Sequence, residues 1–337
     1  MFSVYFDKRM LKILLLGAIS GFPWVLIGSS LSLWLKEDGL SRSTVGWAGL
    51  IFAVYSINFL WAPLIDRLRI PFLTEKIGHR KSWILLMQFS IFISLVAWSF
   101  LDPKESLFGI IAFGLIIAIS SATQDITIDA LRIEQIKKEE GRAMAAGAAI
   151  AVVGWWTGYK IGGVISLFAA EFFQRLGYQN YWQLSFLVLI LIILITSICL
   201  LLIPEENSNA RALNQSAEDK KILNIIGDKT KLQQIIAWLT GTVINPLASF
   251  FKNNTLPIAI GLISFIFLFK IGEAFLGRMS VIFYKEIGFS KTDIAIYSKG
   301  LGWLTTISFT LIGGVFAIRF GLLKALFLSG ITMALTN

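Results

Sequence analysis

The sequence predicts an all-α membrane protein built from long apolar helices. Of its 337 residues, 56% are hydrophobic and 15% are charged, whereas soluble domains carry about 25% charged residues. The apolar residues form runs of about 20 positions, the length that crosses the hydrocarbon core of a bilayer. A single cysteine and a single histidine leave neither a disulfide framework nor a Cys/His metal cluster. These features exclude an ordinary soluble enzyme.

Eight complete membrane spans and the beginning of a ninth are predicted. The eight are 11–34, 45–65, 83–101, 107–130, 143–170, 182–203, 256–282 and 294–318, and the ninth begins near Leu322. Helices are expected because a lipid-exposed segment must satisfy its own backbone hydrogen bonds. The first span follows basic residues, as a signal peptide does, but it lacks a small-residue cleavage site and further spans follow. We therefore expect it to be retained.

The distribution of positive charge predicts the orientation. With a cytoplasmic N-terminus, 20 of the 30 Lys and Arg residues fall in inner segments and 6 in outer loops. Cytoplasmic loops carry such an excess of Lys and Arg. The net charge of +9 is then explained by topology, and we expect no nucleic-acid partner.

The spans divide into two halves. We predict a six-helix bundle at 1–204, a cytoplasmic loop at 205–255 and a second bundle at 256–337. The loop is interpreted as a tether with a short helix on the membrane surface. Residues 34–46 align without gaps on 283–295, at an offset of 249 residues, and each copy follows the opening span of its half. The second half therefore repeats the first.

Parallel repeats of six spans are typical of the major facilitator superfamily, whose halves rock around a site near the bilayer midplane. The predicted fold is therefore that of this superfamily, with a complete N-terminal six-helix half and about two and a half helices of the second. Because a carrier of this kind needs both halves, the end at Asn337 suggests a C-terminally truncated member. A non-transporting remnant is kept as an alternative.

A cytoplasmic latch is predicted at the turn between spans two and three. Asp66-Arg67 closes span two, and Arg80-Lys81 follows Gly78-His79 at the start of span three. A carboxylate at a helix end can hold basic residues through charge-assisted hydrogen bonds. The alternative is that these charges only set the topology. His79 is expected to add charge to this loop, and Cys199 is expected to be inert.

Two aspartates in span four are the candidate proton-coupling residues. Asp125 and Asp129 are spaced i, i+4, so they share one helix face, and adjacent carboxylates disfavour simultaneous ionisation. One of them can then hold a proton, as a proton-coupled carrier requires. The alternative is that both pair with Arg132 or with the basic loop.

Other polar and charged residues of the spans are candidates for substrate binding or gating, because an ionisable group in a membrane costs about 2.5–3.5 kcal/mol or more. Lys160 lies in an aromatic, glycine-rich stretch that suits an anionic or sugar-containing ligand, or it pairs with an aspartate of span four. Lys270 and Glu273 are spaced i, i+3 and can pair with each other. The full set is Gln124, Trp155, Lys160, Lys270, Glu273, Arg278 and Lys299.

Several strings of the sequence resemble the AmpG family of muropeptide permeases. They include Ser-Gly-Phe-Pro at 20–23, Phe-Leu-Trp-Ala-Pro-Leu-Ile-Asp-Arg at 59–67 and Ser-Ala-Thr-Gln-Asp-Ile-Thr-Ile-Asp-Ala at 121–130. The resemblance continues through 246–254, 269–275, 299–302 and 313–319, and so covers nearly the whole chain. The family's membrane-embedded aspartates fall on Asp125 and Asp129.

The resemblance implies proton-driven import of N-acetylglucosaminyl-1,6-anhydro-N-acetylmuramic acid, with or without its peptide, across the bacterial inner membrane for peptidoglycan recycling. The implied partners are the muropeptide, protons and the lipid bilayer, with no cofactor and no metal, and a full-length member is expected to be a monomer. The alternative cargo is another sugar conjugate, a drug or acetyl-CoA. An enzyme is not expected.

Overall fold

The computed structural model describes residues 2–136, 140–205 and 256–336, together with positions 240, 248, 251 and 252. At residues 269–279, and at a few other positions, the description covers the backbone and not the side chains. The described residues form helices joined by short turns, without a strand. Most of the loop predicted at 205–255 lies outside them.

Nine long helices follow one another along the described residues, and we label them α1 to α9. Their bounds are Lys8–Glu37, Arg42–Leu60, His79–Trp98, Pro103–Glu134, Gly141–Arg175, Tyr181–Leu201, Leu256–Glu286, Gly302–Phe320 and Leu322–Thr336. Over the described residues, six helices, matching α1 to α6, are long and apolar enough to cross a membrane. They coincide with the first six predicted spans. Helix α7 coincides with the seventh, and the eighth is covered by a π-helical segment, Ile294–Leu301, together with α8.

The two copies of the sequence repeat have the same local structure. Gly39 and Gly288, which are equivalent at the offset of 249, both take a left-handed conformation with φ of +88° and +99°. This conformation is open to glycine at little cost. Ser41 and Ser290 then each accept a hydrogen bond from a backbone N–H of the next helix, from Thr44 and Asp293. The repeat is therefore a helix end, a glycine turn and a capped helix start in both halves.

The described chain contains π-helical segments within α1 and directly before α8. Helix α1 passes through Pro23, which removes a backbone donor, and continues as a π-helical segment at Leu26–Ser30. A second one, Ile294–Leu301, leads into α8. Such π-bulges are rare in proteins as a whole, and many of them lie at functional sites.

Helices α1 and α5 approach each other closely because glycines line both surfaces. A Cβ atom added at Gly21 would collide with the backbone of Trp155, and one added at Gly158 would collide with the backbone of Ala18. Small residues of this kind let helix backbones approach in membrane proteins. This contact brings the site residues of α1 and α5 together.

We expect Gly158→Ala to destabilise the protein, because the new methyl group meets α1 backbone that cannot move aside as a side chain can. Overpacking of this kind costs about 1–3 kcal/mol. The matched control is Gly46→Ala in α2, where the added atom meets nothing within 4 Å. Thermal unfolding of the purified variants tests the prediction, and equal melting temperatures would contradict it.

Candidate functional site

Asp125 lies at a contact between α4 and α1. The Ser20 hydroxyl donates a hydrogen bond of 2.5 Å to its Oδ1. The neighbouring Gln124 is fully buried and donates from Nε2 to the Ile19 carbonyl at 2.9 Å. Within the described part of the chain, Asp125 forms no ion pair with a lysine or arginine. Its carboxylate is therefore held by a neutral donor.

Asp129 has different surroundings, although its spacing puts it on the same face of α4. Its side chain is 67% exposed, and its Oδ1 accepts hydrogen bonds from Arg132 Nη2 at 2.9 Å and Nε at 3.1 Å. The pairing with Arg132 that the sequence left open is thus present for Asp129 and not for Asp125. The two candidate residues do not form one equivalent pair.

An aromatic wall extends from Asp125 across three helices. It consists of Trp24 in α1, Phe52 and Tyr55 in α2, and Trp155 and Tyr159 in α5. The Trp24 ring lies 4.9 Å from Phe52, 4.5 Å from Tyr55 and 5.3 Å from Trp155, measured between centroids. The rings of Trp155 and Tyr159 are stacked at 5.6 Å. Of these residues, the sequence predicted only Trp155 as a site residue.

Several polar groups beside the wall are buried without a hydrogen-bond partner in the part of the chain that the structure describes. The Trp24 indole nitrogen and the hydroxyls of Tyr55 and Ser121 are buried without a hydrogen-bond partner among the described residues. Ser121 is one helical turn before Asp125 in α4. Most buried polar atoms in proteins have a partner, and exceptions often mark a water or a ligand. The wall therefore offers stacking surface and free hydrogen-bonding groups.

Two predicted lysines lie at the other end of the aromatic wall. Lys299 is 2% exposed, donates to the Tyr159 hydroxyl at 3.0 Å, and lies 4.1 Å from the centre of the Tyr159 ring. Lys160 is half-buried and donates to the Ser298 carbonyl at 2.9 Å. Each lysine thus reaches across to the segment that carries the other. Among the described residues, no carboxylate pairs with either one.

The local sequence makes room for both lysines. A Cβ atom at Gly163 in α5 would lie 3.2 Å from Cδ and Cε of Lys299, and one at Gly302 in α8 would lie 3.3 Å from Nζ of Lys160. Lys299 itself belongs to the π-helical segment Ile294–Leu301. The contact between the two halves is therefore built around these side chains.

Ion pairs join the two halves where α1 and α7 end. Glu37 accepts a hydrogen bond from Lys291 at 3.0 Å and lies 3.1 Å from Lys285. The side chains of Tyr181 and Trp182 in α6 donate to the same carboxylate at 3.1 and 2.9 Å. Lys291 is only 1% exposed, so this ion pair is buried.

A second carboxylate, this time from the second half, pairs with two cations of the first half. Glu286, the equivalent of Glu37 at the offset of 249, lies 2.7 Å from Arg42 and 3.7 Å from Lys36. These two cations are the equivalents of Lys291 and Lys285. Because each half offers one carboxylate to two cations of the other, the contact has a pseudo-twofold arrangement. We call the six residues the reciprocal cluster.

A second charged cluster lies at the start of α3, where the latch is predicted. Arg80 pairs with Asp66 at 3.1 Å and with Glu134, at the end of α4, at 2.7 Å. The Glu205 carboxylate accepts from the backbone N–H groups of Arg80 at 2.8 Å and of Lys81 at 3.0 Å. Two predicted latch residues are thus in contact, and a third takes part through its backbone.

The remaining predicted residues fall into three groups. Arg67 ends the helix Ala62–Arg67, and the side chains of Lys270, Glu273 and Arg278 in α7 lie outside the described residues. The expectation for His79 was wrong. It is not a loop charge but a buried residue, 7% exposed, and its Nε2 lies 2.8 Å from the Ile65 carbonyl in hydrogen-bond geometry.

Comparison with known proteins assigns this architecture to a family. Residues 13–337 match the family described as Major Facilitator Superfamily. The chain is 32% identical over 335 residues to "Putative transporter AmpG 4" of Rickettsia conorii, with 99% of this chain and 74% of that protein covered. The chain is a member of the major facilitator superfamily and of its AmpG family. As an AmpG family member it is a multi-pass membrane transporter.

Two further comparisons agree with this assignment. The chain is 31% identical to "Anhydromuropeptide permease" of Escherichia coli K12, covering 99% of this chain and 60% of that protein's length. The crystal structure of a D-xylose-proton symporter superposes with a TM-score of 0.55 at 16% identity, covering 94% of this chain and 70% of the other. The latter shows that the fold is shared.

Sequence reasoning missed several residues that the AmpG fold brings together. Trp24, Tyr55 and Ser121 carry no charge and lie in apolar spans, so nothing in the local sequence distinguished them from packing residues. Glu37 and Glu286 did carry a signal, because the aligned repeat copies place a Lys-Glu pair and a following cation at equivalent positions. That pattern indicates reciprocal pairing when the two halves face each other.

Proposed function

We propose that this chain imports anhydro-muropeptides together with protons across the bacterial inner membrane, with its N-terminus in the cytoplasm. The observation that supports this most directly is the spatial order of side chains along one path through the protein. It begins at Asp125, follows the aromatic wall and ends at Lys160 and Lys299. Aromatic faces suit sugar rings, and the lysines suit acidic groups. The name of the Escherichia coli relative, an anhydromuropeptide permease, points to the same cargo.

Asp125 is the proposed proton carrier. Its carboxylate accepts a hydrogen bond from a hydroxyl and has no described cationic partner, so gaining a proton breaks no described ion pair. Asp129 pairs with Arg132, and its protonation would disrupt that pair. We therefore assign the coupling role to Asp125 and a structural role to Asp129.

The reciprocal cluster is the proposed outer gate, and the cluster of Asp66, Arg80, Glu134 and Glu205, which we call the Arg80 cluster, is the proposed cytoplasmic latch. With the N-terminus inside, the reciprocal cluster lies on the periplasmic side, and the Arg80 cluster lies on the cytoplasmic side. In the import cycle, Asp125 is protonated and cargo enters while the reciprocal cluster is open. Re-forming these ion pairs closes the outer side. Rocking of the halves then exposes the cargo and Asp125 to the cytoplasm, where both cargo and proton leave.

The cargo assignment is tested by counterflow in proteoliposomes. Vesicles are loaded with unlabelled anhydro-disaccharide, and entry of labelled disaccharide-peptide is followed without any ion gradient. We expect rapid exchange that excess unlabelled muropeptide abolishes and that D-xylose or acetyl-CoA leaves unchanged. If vesicles loaded with one of these other compounds took up its labelled form, and no exchange of muropeptide were seen, the proposed cargo would be wrong.

A further inference from the structure

We propose that Lys160 and Lys299 together form a binding site for a carboxylate of the transported molecule. The site exists only where the two halves meet, because one lysine comes from α5 and the other from the segment leading into α8. This inference rests on the proposed function and adds the chemical group that is recognised and the residues that recognise it.

The two lysines have hydrogen-bonding capacity left over. An ammonium group has three N–H donors, and each lysine makes one described hydrogen bond, to the Ser298 carbonyl or to the Tyr159 hydroxyl. Both acceptors are neutral. The remaining donors of both ammonium groups are therefore available to an anion.

Electrostatics favours an anion at this position. Lys299 is almost completely buried, and the positive charge of Lys299 acts unfavourably on Lys160. Buried charges are normally paired, because taking a lone charge out of water is expensive. Two like charges brought together add mutual repulsion. A carboxylate between them offsets both costs, whereas a neutral sugar hydroxyl would offset neither.

The position of the pair fits an acidic sugar. Lys299 sits over the ring of Tyr159, the last member of the aromatic wall. A sugar ring stacked on the neighbouring Trp155 therefore brings its acidic substituent towards the two ammonium groups. Gly163 leaves room for the aliphatic part of the Lys299 side chain, and Gly302 leaves room beside Nζ of Lys160. Because both halves contribute a lysine, binding of the carboxylate also draws the halves together.

Intrinsic tryptophan fluorescence gives a binding assay that does not depend on transport. The purified full chain is titrated with anhydro-disaccharide carrying its free carboxylate, and with the same compound converted to the neutral carboxamide. We expect the acid to bind at least about tenfold more tightly than the amide. Lys160→Met and Lys299→Met should remove most of this preference by weakening acid binding alone.

Two further variants complete the design. Lys299→Arg keeps the positive charge and should retain part of the preference, and Lys104→Met, at an exposed position in the first turn of α4, should leave it unchanged. Equal binding of acid and amide by the unmodified protein would overturn the carboxylate site and leave the proposed cargo standing. Binding of neither would overturn the cargo itself. If a methionine variant does not fold, the ratio of acid affinity to amide affinity measured on the unmodified protein still tests the carboxylate site.

Discussion

Replacing Asp125 with asparagine is expected to abolish accumulation of cargo driven by a proton gradient. Asparagine has nearly the same shape and can still accept the hydrogen bond from Ser20, so folding and membrane insertion should persist. It cannot gain or lose a proton. The ratio of inside to outside cargo should therefore fall to one, whatever the imposed gradient, while exchange of labelled for unlabelled cargo continues.

Asp129→Asn is the matched control for this experiment, because it removes a carboxylate one helical turn away. Asp129 is mostly exposed and already paired with Arg132, so this variant should keep most of its gradient-driven accumulation. Accumulation by Asp125→Asn equal to that of the unmodified protein would remove Asp125 from proton coupling. Loss of accumulation in Asp129→Asn alone would transfer the role to Asp129.

Removing the Glu37 carboxylate is expected to open the end of the molecule closed by the reciprocal cluster. Glu37→Gln leaves Lys291, which is 1% exposed, without its carboxylate partner. Leaving one member of a buried ion pair unpaired costs about 3–5 kcal/mol, which corresponds to a shift of roughly 100-fold or more in the equilibrium between closed and open states.

Labelling of an introduced cysteine measures this shift. Cys199 is the only cysteine in the sequence, so Cys199→Ser provides a clean background for Ala295→Cys, at a position 1% exposed beside the cluster. A membrane-impermeant maleimide should react much faster when Glu37→Gln is added. Equal labelling rates would contradict a gating role for Glu37.

Two comparisons separate gating from general damage to the fold. Glu286→Gln should accelerate labelling less than Glu37→Gln, because its partner Arg42 is 74% exposed and surface ion pairs contribute about 0–1 kcal/mol. Adding Lys291→Met to Glu37→Gln should slow labelling again, because the unpaired buried charge is then gone. Further acceleration on adding Lys291→Met would indicate that the helix ends have simply come apart.

The sequence predicted the helices and the fold well because both depend on local or repeated features. Long apolar runs and their flanking charges set the spans, and the copy of 34–46 at 283–295 indicated two equivalent halves. Asp125, Lys160 and Lys299 were predicted because a charge in an apolar span is costly. None of these inferences required knowledge of which helices are neighbours.

The contacts within the site depend on helix packing and were not predictable in the same way. Trp24 meets Trp155 only because glycines bring α1 against α5, and Lys291 reaches Glu37 across 254 positions of sequence. His79 shows the converse. Its neighbours Gly78, Arg80 and Lys81 resemble a solvated turn, yet the carbonyl of Ile65 in the helix Ala62–Arg67 gives it a buried partner.

Uptake under an imposed proton gradient tests the central claim most directly. Proteoliposomes containing the protein are given an acidic exterior, and labelled anhydro-disaccharide peptide is added outside. We expect the internal concentration to rise above the external one and to return to it when a protonophore is added. Entry that stops at equal concentrations, with or without the gradient, would contradict proton-coupled import.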